Sequence, residues 1–258
     1  MKELDIAVRA VREAGGVIRS LYGTPVSVVE KGDRASSPLT DADTRANEIL
    51  HRRVSAAFPE DGWLSEESVD STERLARRRV WIVDPLDGTR EFLQKIPELA
   101  VCLALVEDGT PIVGVTYNPI TDELFAATRA GAATRNGERI SVSSTPILSD
   151  AVLLASRSEN ERGEWDHFHG RFRIELTGSV AFKLALVAAG RADATFTLTP
   201  KSEWDVCSSV CLIESAGGRV TDLSGAPLRF NNPKPALGGL VASNGELHEQ
   251  ILRVLASI

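Results

Sequence analysis

The sequence contains few cysteines and no long apolar run. Its three cysteines, Cys102, Cys207 and Cys211, are an odd number without CxxC spacing, so neither a disulfide framework nor a zinc site is indicated. No segment approaches the roughly 18 apolar residues of a membrane-spanning helix. Residues 1–16 carry charges throughout and lack the apolar region of a signal peptide. We therefore expect a cytoplasmic protein that is neither exported nor anchored in a membrane.

An excess of positive charge is also missing. The sequence has 29 Lys and Arg residues against 36 Asp and Glu residues, which gives a formal net charge of -7. This balance disfavours binding to nucleic acid, which needs a basic face, but it allows a small anionic substrate held by metal ions. The basic run of Arg74, Arg77, Arg78 and Arg79 is an exception. We interpret it as a solvated charged loop before a strand and expect no nucleic-acid partner.

The histidines form no recognisable site. His51, His167, His169 and His248 are scattered along the chain, and we interpret each as a surface residue. His167 and His169 alternate as on a strand, but no matching cysteine or third histidine completes a zinc site. No phosphatase-type cysteine loop is present, so the sequence does not indicate a covalent intermediate.

The length of 258 residues fits one large domain or two close-packed lobes. Three- and four-residue spacing of apolar residues predicts helices at 4–21 and 41–57, the second beginning after Thr40. The middle third predicts a largely antiparallel sheet with strands at 80–83, 99–107, 111–117, 124–128 and 132–135. Hairpin turns are predicted at Asp108-Gly109 and Asn136-Gly137.

After residue 149 the predicted strands and helices alternate. We predict strands at 152–155, 173–176 and 192–198, and helices at 179–189 and 205–216. This order predicts two mixed α/β lobes, residues 1–148 and residues 149–258.

The segment VWIVDPLDGTREF places two carboxylates at the end of an apolar strand. Asp84 ends the strand, Pro85 interrupts its ladder, and Asp87 follows just before Gly88. If a helix starts at Gly88, its free amides point the same way as the carboxylates, which suits a phosphate bridged to metal ions. Carboxylate oxygens are hard ligands for Mg²⁺. A β-turn at Asp87-Gly88 with Asp84 as a strand-end cap explains the isolated segment equally well.

Other acidic residues occur in comparable positions. Glu66 and Glu67 of LSEES follow the short apolar piece before them, and Asp205 opens an apolar helix after Trp204. Helix capping alone would explain Asp205, and a capping box with Thr40 would explain Asp43. No one of these positions is decisive by itself.

Taken in order, LSEES, WIVDPLDGT and EWD followed by IESAGG resemble the metal-site motifs of the inositol monophosphatase superfamily. That superfamily includes inositol monophosphatases, 3'(2'),5'-bisphosphate nucleotidases and fructose-1,6-bisphosphatases. The similarity covers nearly the whole chain. It implies an α/β fold of the layered αβαβα sandwich type, a homodimer, and a Mg²⁺-dependent, lithium-sensitive phosphatase of small phosphorylated metabolites.

The resemblance also implies roles for individual residues. Two Mg²⁺ ions would lower the pKa of a bound water and neutralise charge in an in-line displacement. One would be bound by Glu66, Asp84 and the main-chain carbonyl of Leu86, and the second by Asp84, Asp87 and Asp205. The first lobe would thus carry most of the ligands.

Three further residues complete the implied machinery. SPLTDAD resembles the family segment whose second acid pairs with the threonine of DGT, so Asp43 and Thr89 would orient the attacking water. Glu67 would lie behind the ligands, with a weaker third Mg²⁺ site beside it.

Two features favour the nucleotidase branch. DGTREF resembles the nucleotidase DGTKEF more than the DGTTNF of inositol monophosphatases, and Lys183 stands where nucleotidases have a lysine. Thr197, in contrast, stands where nucleotidases tend to have arginine and inositol enzymes glutamate. Arg157 or Lys201 are candidates to replace that contact, although a surface charge is the ordinary role of both.

We favour a nucleotidase acting on adenosine 3',5'-bisphosphate, with substrate contacts from Gly88, Thr89, Arg90, Lys183 and Asp205. An inositol-1-phosphatase or a broad sugar monophosphatase is the alternative. A regulatory protein that binds metal or phosphate without turnover is an alternative of another class, but such a protein would not need Asp43 and Thr89.

Overall fold

The computed structural model describes residues 1–30 and 38–257, so Ser37 of SPLTDAD lies outside the described residues. The helices in this part are α1 (Lys2–Leu21), α2 (Asp41–Ala57), α3 (Thr89–Gln94), α4 (Arg157–Glu161), α5 (Val180–Ala188), α6 (Glu203–Ser215) and α7 (His248–Leu255). The strands of the first half are β1 (Val28–Glu30), β2 (Pro38–Thr40), β3 (Gly62–Ser65), β4 (Arg79–Asp87), β5 (Ala100–Glu107), β6 (Thr110–Asn118), β7 (Glu123–Thr128), β8 (Thr134–Arg135) and β9 (Glu138–Arg139). Those of the second half are β10 (Val152–Ala155), β11 (Arg173–Leu176), β12 (Ala194–Thr197), β13 (Lys201–Ser202), β14 (Arg219–Thr221), β15 (Ala236–Leu237) and β16 (Leu240–Ser243).

Among the described residues, the larger sheet has seven strands in the order β3-β4-β5-β6-β7-β8-β9. All its pairs are antiparallel except β3 with β4. Both predicted hairpin turns are present, and each has two consecutive residues with positive φ: Asp108 and Gly109 at 49° and 78°, Asn136 and Gly137 at 51° and 86°. Such pairs are typical of type I′ turns, whose twist matches that of the flanking strands.

Alternate residues of the large sheet face two different helix layers. Trp81 and Val83 pack with α1 and α2, whereas Val80 and Ile82 pack with α5 and α6. This follows from the two-residue period of strand side chains. Because both faces are covered, the central strands read as continuous apolar runs.

In the part of the chain that the structure describes, the second sheet has five strands in the order β11-β10-β12-β16-β14. One face packs against the α5 and α6 layer, and the other packs against α7 and the segment that carries Trp165 and Phe168. The layers therefore follow in the order α1 and α2, the large sheet, α5 and α6, the small sheet, and α7. The expected αβαβα sandwich is confirmed.

The capping box of α2 explains why its predicted bounds are the observed ones. Thr40 accepts a hydrogen bond from Ala42 N, and Asp43 reaches back to Thr40 N. Helix α7 and the strands β14 and β16 were not predicted from the sequence.

Two expectations about exposure are wrong. His248 is fully buried. Its two ring nitrogens are satisfied there, since Thr221 Oγ1 and Ser243 Oγ lie 2.9 and 3.0 Å from them. Arg74 is buried rather than solvated, since its guanidinium donates to Asp70 and to Asn231.

His167 and His169 are exposed but do not lie on a strand. A short 3-10 helix spans Asp166–Phe168 at this point. The three cysteines are reduced and buried. Within residues 1–30 and 38–257, every helix is too short or too polar to cross a bilayer.

Candidate active site

A cleft of about 370 Å³ lies at the end of β3 and β4. Glu66 directly follows β3, and Asp84 lies in β4. Because these two strands run parallel, with Ser65 opposite Val83, their ends deliver both carboxylates to one edge of the sheet. Asp205, in the first turn of α6, approaches the same point from the helix layer.

These three carboxylates form a group that could hold a cation. Each offers an oxygen atom, and the three oxygens of Glu66, Asp84 and Asp205 lie within 4.8 Å of one another. Within the described part of the chain, Asp87 is outside this group although it lines the same cleft. Oxygen donors at such spacing suit a hard cation such as Mg²⁺.

The electrostatics of the group also favour a cation. Burial raises the pKa of Asp84 well above its ordinary value, and the neighbouring charges of Glu66, Asp87 and Asp205 raise it further. The pKa of Asp205 is raised in the same way, first by burial and then by Asp87 and Glu66. Like charges brought together in a buried site repel one another, and a bound cation relieves that repulsion.

Asp87 is held by the start of α5. Its Oδ2 accepts hydrogen bonds from Ser179 Oγ at 2.5 Å and from Ala181 N at 2.6 Å. Burial raises the pKa of Asp87 to about 6, although these two bonds oppose the rise. Ser179 has a φ of 55°, an unusual value for a residue with a side chain.

The loop between Asp84 and Asp87 is a bulge in β4. The pairing with β5 shifts register between these two residues, as the interruption at Pro85 predicts. Leu86 N donates to Asp84 Oδ1 at 3.0 Å, and the Leu86 carbonyl accepts from Thr89 Oγ1 at 3.1 Å. Next to it, Gly88 has a φ of 95°, and a Cβ there would lie 2.9 Å from the Glu98 carbonyl oxygen.

Asp43 takes part in two arrangements at once. Its Oδ2 accepts from Thr40 N at 2.8 Å and from Thr40 Oγ1 at 2.6 Å, while its Oδ1 accepts from Thr89 Oγ1 at 3.1 Å. Burial raises the pKa of Asp43, and the bonds from Thr40 and Thr89 partly offset that effect. Asp43 therefore takes part in the capping box of α2 and pairs with Thr89 at the same time.

The remaining predicted residues differ in position. Thr89 and Arg90 line the cleft beside Gly88. Glu67 and Lys183 are not among its described lining residues. Asn47 Nδ2 donates to the Glu67 carbonyl at 3.3 Å. Lys183, on α5, is only 3% exposed, and burial lowers its pKa to about 8.

One residue at the cleft was not predicted from the sequence. Ser179, which binds Asp87, could have been found as the N-cap of the apolar helix α5. Lys201, a candidate substrate contact whose ordinary role would be a surface charge, lines the cleft. It lies 2.8 Å from the buried Glu159 carboxylate, a partner that no local pattern reveals.

The chain matches the model of the inositol monophosphatase family over residues 1–258. It is 35% identical to an inositol-1-monophosphatase of Mesorhizobium japonicum, over 98% of this chain and 95% of the relative. It is 33% identical to a Nus factor SuhB of Xylella fastidiosa, over 98% and 94%. Among solved structures, an IMPase of Thermotoga maritima has a TM-score of 0.88 at 30% identity, with 100% of this chain and 98% of that one covered.

The chain therefore belongs to the inositol monophosphatase family. It is a phosphatase, a phosphoric monoester hydrolase of a metal-dependent family.

Proposed function

We propose that the cleft binds Mg²⁺ and hydrolyses the phosphomonoester of a small metabolite. The main support is the convergence of Glu66, Asp84 and Asp205 within 4.8 Å. One Mg²⁺ would be held by Glu66, Asp84 and the Leu86 carbonyl, a second by Asp84, Asp87 and Asp205, and a weaker third near Glu67. Bound Mg²⁺ would supply positive charge that neutralises the phosphate and lowers the pKa of water.

Asp43 and Thr89 would act on the attacking water. Thr89 Oγ1 is 3.1 Å from both Asp43 Oδ1 and the Leu86 carbonyl, and its single hydroxyl proton can serve only one of them at a time. While that proton points at Asp43, the hydroxyl lone pairs can accept a proton of water and fix its orientation. Gly88 and Arg90 line the cleft next to Thr89 and are the proposed phosphate contacts, together with Asp205.

As the substrate we propose a 3'(2'),5'-bisphosphate nucleotide such as adenosine 3',5'-bisphosphate. The support is DGTREF, with Arg90 in the cleft, and the presence of Lys201 and Arg162 among its lining residues. Lys183 supports it less directly, because it is buried and is not among the described lining residues.

Inositol-1-phosphate is the second candidate substrate. Several relatives are inositol-1-monophosphatases, including those of Mesorhizobium japonicum and Rhizobium meliloti. Thr197 has neither the arginine nor the glutamate side chain that would favour one branch. Its hydroxyl donates to Glu159 Oε1 at 2.7 Å.

A protein that binds metal and phosphate without turnover is the candidate of another class. Several relatives are named Nus factor SuhB, a name that states no phosphatase activity. The Asp43–Thr89 bond favours turnover in this chain, because a binder needs ligands but no water-orienting pair.

We also propose a cytoplasmic homodimer. Equilibrium sedimentation would test the dimer.

The test is phosphate release from adenosine 3',5'-bisphosphate, inositol-1-phosphate and fructose-1,6-bisphosphate, each with Mg²⁺ and with a chelator. We expect release only with Mg²⁺, fastest from the nucleotide, and inhibition by lithium. A faster reaction with inositol-1-phosphate would select the second candidate. Release that survives chelation would contradict the metal-dependent reaction.

A further inference from the structure

A buried carboxylate pairs with Lys201, one of the residues that line the cleft. Glu159, in α4, is 1% exposed. Its Oε1 accepts from Thr197 Oγ1 at 2.7 Å and pairs with Lys201 Nζ at 2.8 Å, and its Oε2 lies 3.4 Å from Trp165 Nε1. The carboxylate is therefore fixed from several sides.

Glu159 is charged at neutral pH. Burial alone would raise its pKa, but the positive charges of Lys183 and Lys201 overcome this and hold the pKa at about 2. A buried carboxylate that faces two ammonium groups favours its ionised form.

Two lysines share this single carboxylate. Lys183 is 3% exposed on α5, and the side chain of Lys201 is 16% exposed at the cleft. When both are protonated, these three side chains carry a net charge of about +1 in a poorly solvated region, where charge is weakly screened. The carboxylates of Asp87 and Glu91 also act on Lys183, so the excess positive charge belongs to Lys201. Glu66, Asp84 and Asp205 converge in the same cleft. The charge of Lys201 partly offsets the rise in the pKa of Asp205.

Arg157 and Lys201 are the candidates to replace the substrate contact that Thr197 lacks, and Lys201 is the one that lines the cleft. Arg157 forms an ion pair with Glu98, and Thr197 is occupied by Glu159. Lys201 lines the cleft, and an ammonium has three donors, of which Glu159 takes one. A side chain fixed by a buried partner loses little freedom when it binds a ligand.

We propose that Lys201, positioned by Glu159, is a specificity-determining residue that binds a second anionic group of the substrate, beyond the phosphate that is hydrolysed. The inference rests on the proposed function, since it assumes that the acidic part of the cleft holds the reacting phosphate. It assigns substrate choice to Lys201 rather than to Lys183. Glu159 acts through Lys201 and is a positioning residue.

Matched substrates test this assignment. Adenosine 3',5'-bisphosphate and adenosine 3'-monophosphate share the reacting phosphate and differ in the second one, and inositol 1,4-bisphosphate and inositol-1-phosphate form a similar pair. Lys201→Met should raise KM for the preferred bisphosphate about ten- to a hundredfold, the usual range for a charge-assisted contact. KM for the matching monophosphate and kcat for both should change less than about twofold. Lys201→Arg should restore most of the loss, and Lys234→Met, at an exposed lysine, serves as the control.

Glu159→Gln separates positioning from simple packing. It should raise KM for the bisphosphate selectively, and little further when combined with Lys201→Met, because both changes remove the same contact. A packing role alone would lower stability without changing the ratio of the two KM values, and would overturn the role of Glu159.

The outcomes also separate this inference from the proposed function. If the wild type releases phosphate from none of these esters with Mg²⁺, both are overturned. If it releases phosphate but Lys201→Met changes both members of each pair equally, or neither, the proposed function stands and the role of Lys201 is overturned. If the effect is selective in the inositol pair alone, Lys201 binds a second anionic group and that group belongs to a phosphorylated polyol.

Discussion

Asp43 Oδ1 lies 3.1 Å from Thr89 Oγ1, while Oδ2 of the same carboxylate accepts two hydrogen bonds from Thr40. One buried side chain thus completes the N-terminus of α2 and holds a hydroxyl at the wall of the cleft. A long helix packed into the core therefore fixes the position of the proposed water-orienting pair.

Asp43→Asn should separate the two roles of this carboxylate. Asp43 is the third residue of the capping box, and an asparagine amide oxygen can still accept the hydrogen bond from Thr40 N. The free energy of unfolding should therefore change by less than about 1 kcal/mol. If its amide oxygen serves Thr40, its NH₂ group faces Thr89 and cannot accept the hydroxyl proton. We expect kcat to fall about a hundredfold with little change in KM. Asp41→Asn, in the same helical turn, is the control, and an undiminished kcat for Asp43→Asn would mean that Asp43 only caps α2.

Ser179→Ala should weaken metal binding without removing a proposed ligand. The change deletes the donor at 2.5 Å from Asp87 Oδ2 and so leaves the carboxylate less well oriented. We expect the Mg²⁺ concentration for half-maximal activity to rise several-fold, on the order of tenfold, with kcat largely recovered at saturating Mg²⁺. Ser149→Ala, at an exposed position, is the control. An unchanged Mg²⁺ dependence would show that Asp87 does not need this bond.

The stabilising effect of Mg²⁺ should depend on pH. Burial raises the pKa of Asp87 to about 6 and raises the pKa of Asp84 well above its ordinary value. Because these folded-state values lie above the unfolded ones, the ion-free protein holds extra protons in mildly acidic solution, and Mg²⁺ must displace them.

Millimolar Mg²⁺ should therefore raise Tm by several degrees, about 2–4 °C for each kcal/mol, at pH 7.5. The increase should shrink as pH falls through 6, and proton release should accompany binding in weakly buffered solution. Calorimetry at pH 7.5 and pH 5 measures the difference. An equal increase at both values would contradict binding through these carboxylates.

Arg74 should contribute to stability far more than its neighbour Arg77. The side chain of Arg74 is 1% exposed and binds Asp70, Asn231 and the Asn232 carbonyl. Arg74→Met would leave these groups without their donor and should cost about 2–4 kcal/mol. Arg77 is 47% exposed and lies 3.6 Å from Glu60, so Arg77→Met should cost less than about 0.5 kcal/mol. Urea unfolding measures both, and equal costs would mean that Arg74 is solvated after all.

The sequence predicted those helix boundaries and turns that interactions between neighbouring residues determine. The Thr40–Asp43 capping box determines where α2 begins, and paired turn residues such as Asn136-Gly137 determine the hairpins. Strand β16 was missed because pairing with the distant strands β12 and β14 stabilises it. Helix α7 was missed although Ile251, Leu252 and Leu255 recur at helical spacing, which is a local signal. The boundary at residue 148 stays a prediction.

The site was predictable in residue type but not in geometry. The order of the acidic motifs pointed to Glu66, Asp84 and Asp205, which the fold brings together. The Lys201–Glu159 pair and the burial of His248 arise from tertiary contacts between distant segments, which leave no periodic signal in the sequence.

The most direct test of the central claim is phosphate release from the preferred ester as a function of Mg²⁺ concentration, in the wild type and in Asp84→Asn. Asp84 is the ligand that both proposed Mg²⁺ ions would share. We predict a saturable Mg²⁺ requirement in the wild type and a loss of activity of about a thousandfold or more in the variant, even at high Mg²⁺. Circular dichroism would verify that the variant is folded. Wild-type activity that ignores Mg²⁺, or an Asp84→Asn variant with normal turnover, would contradict the account.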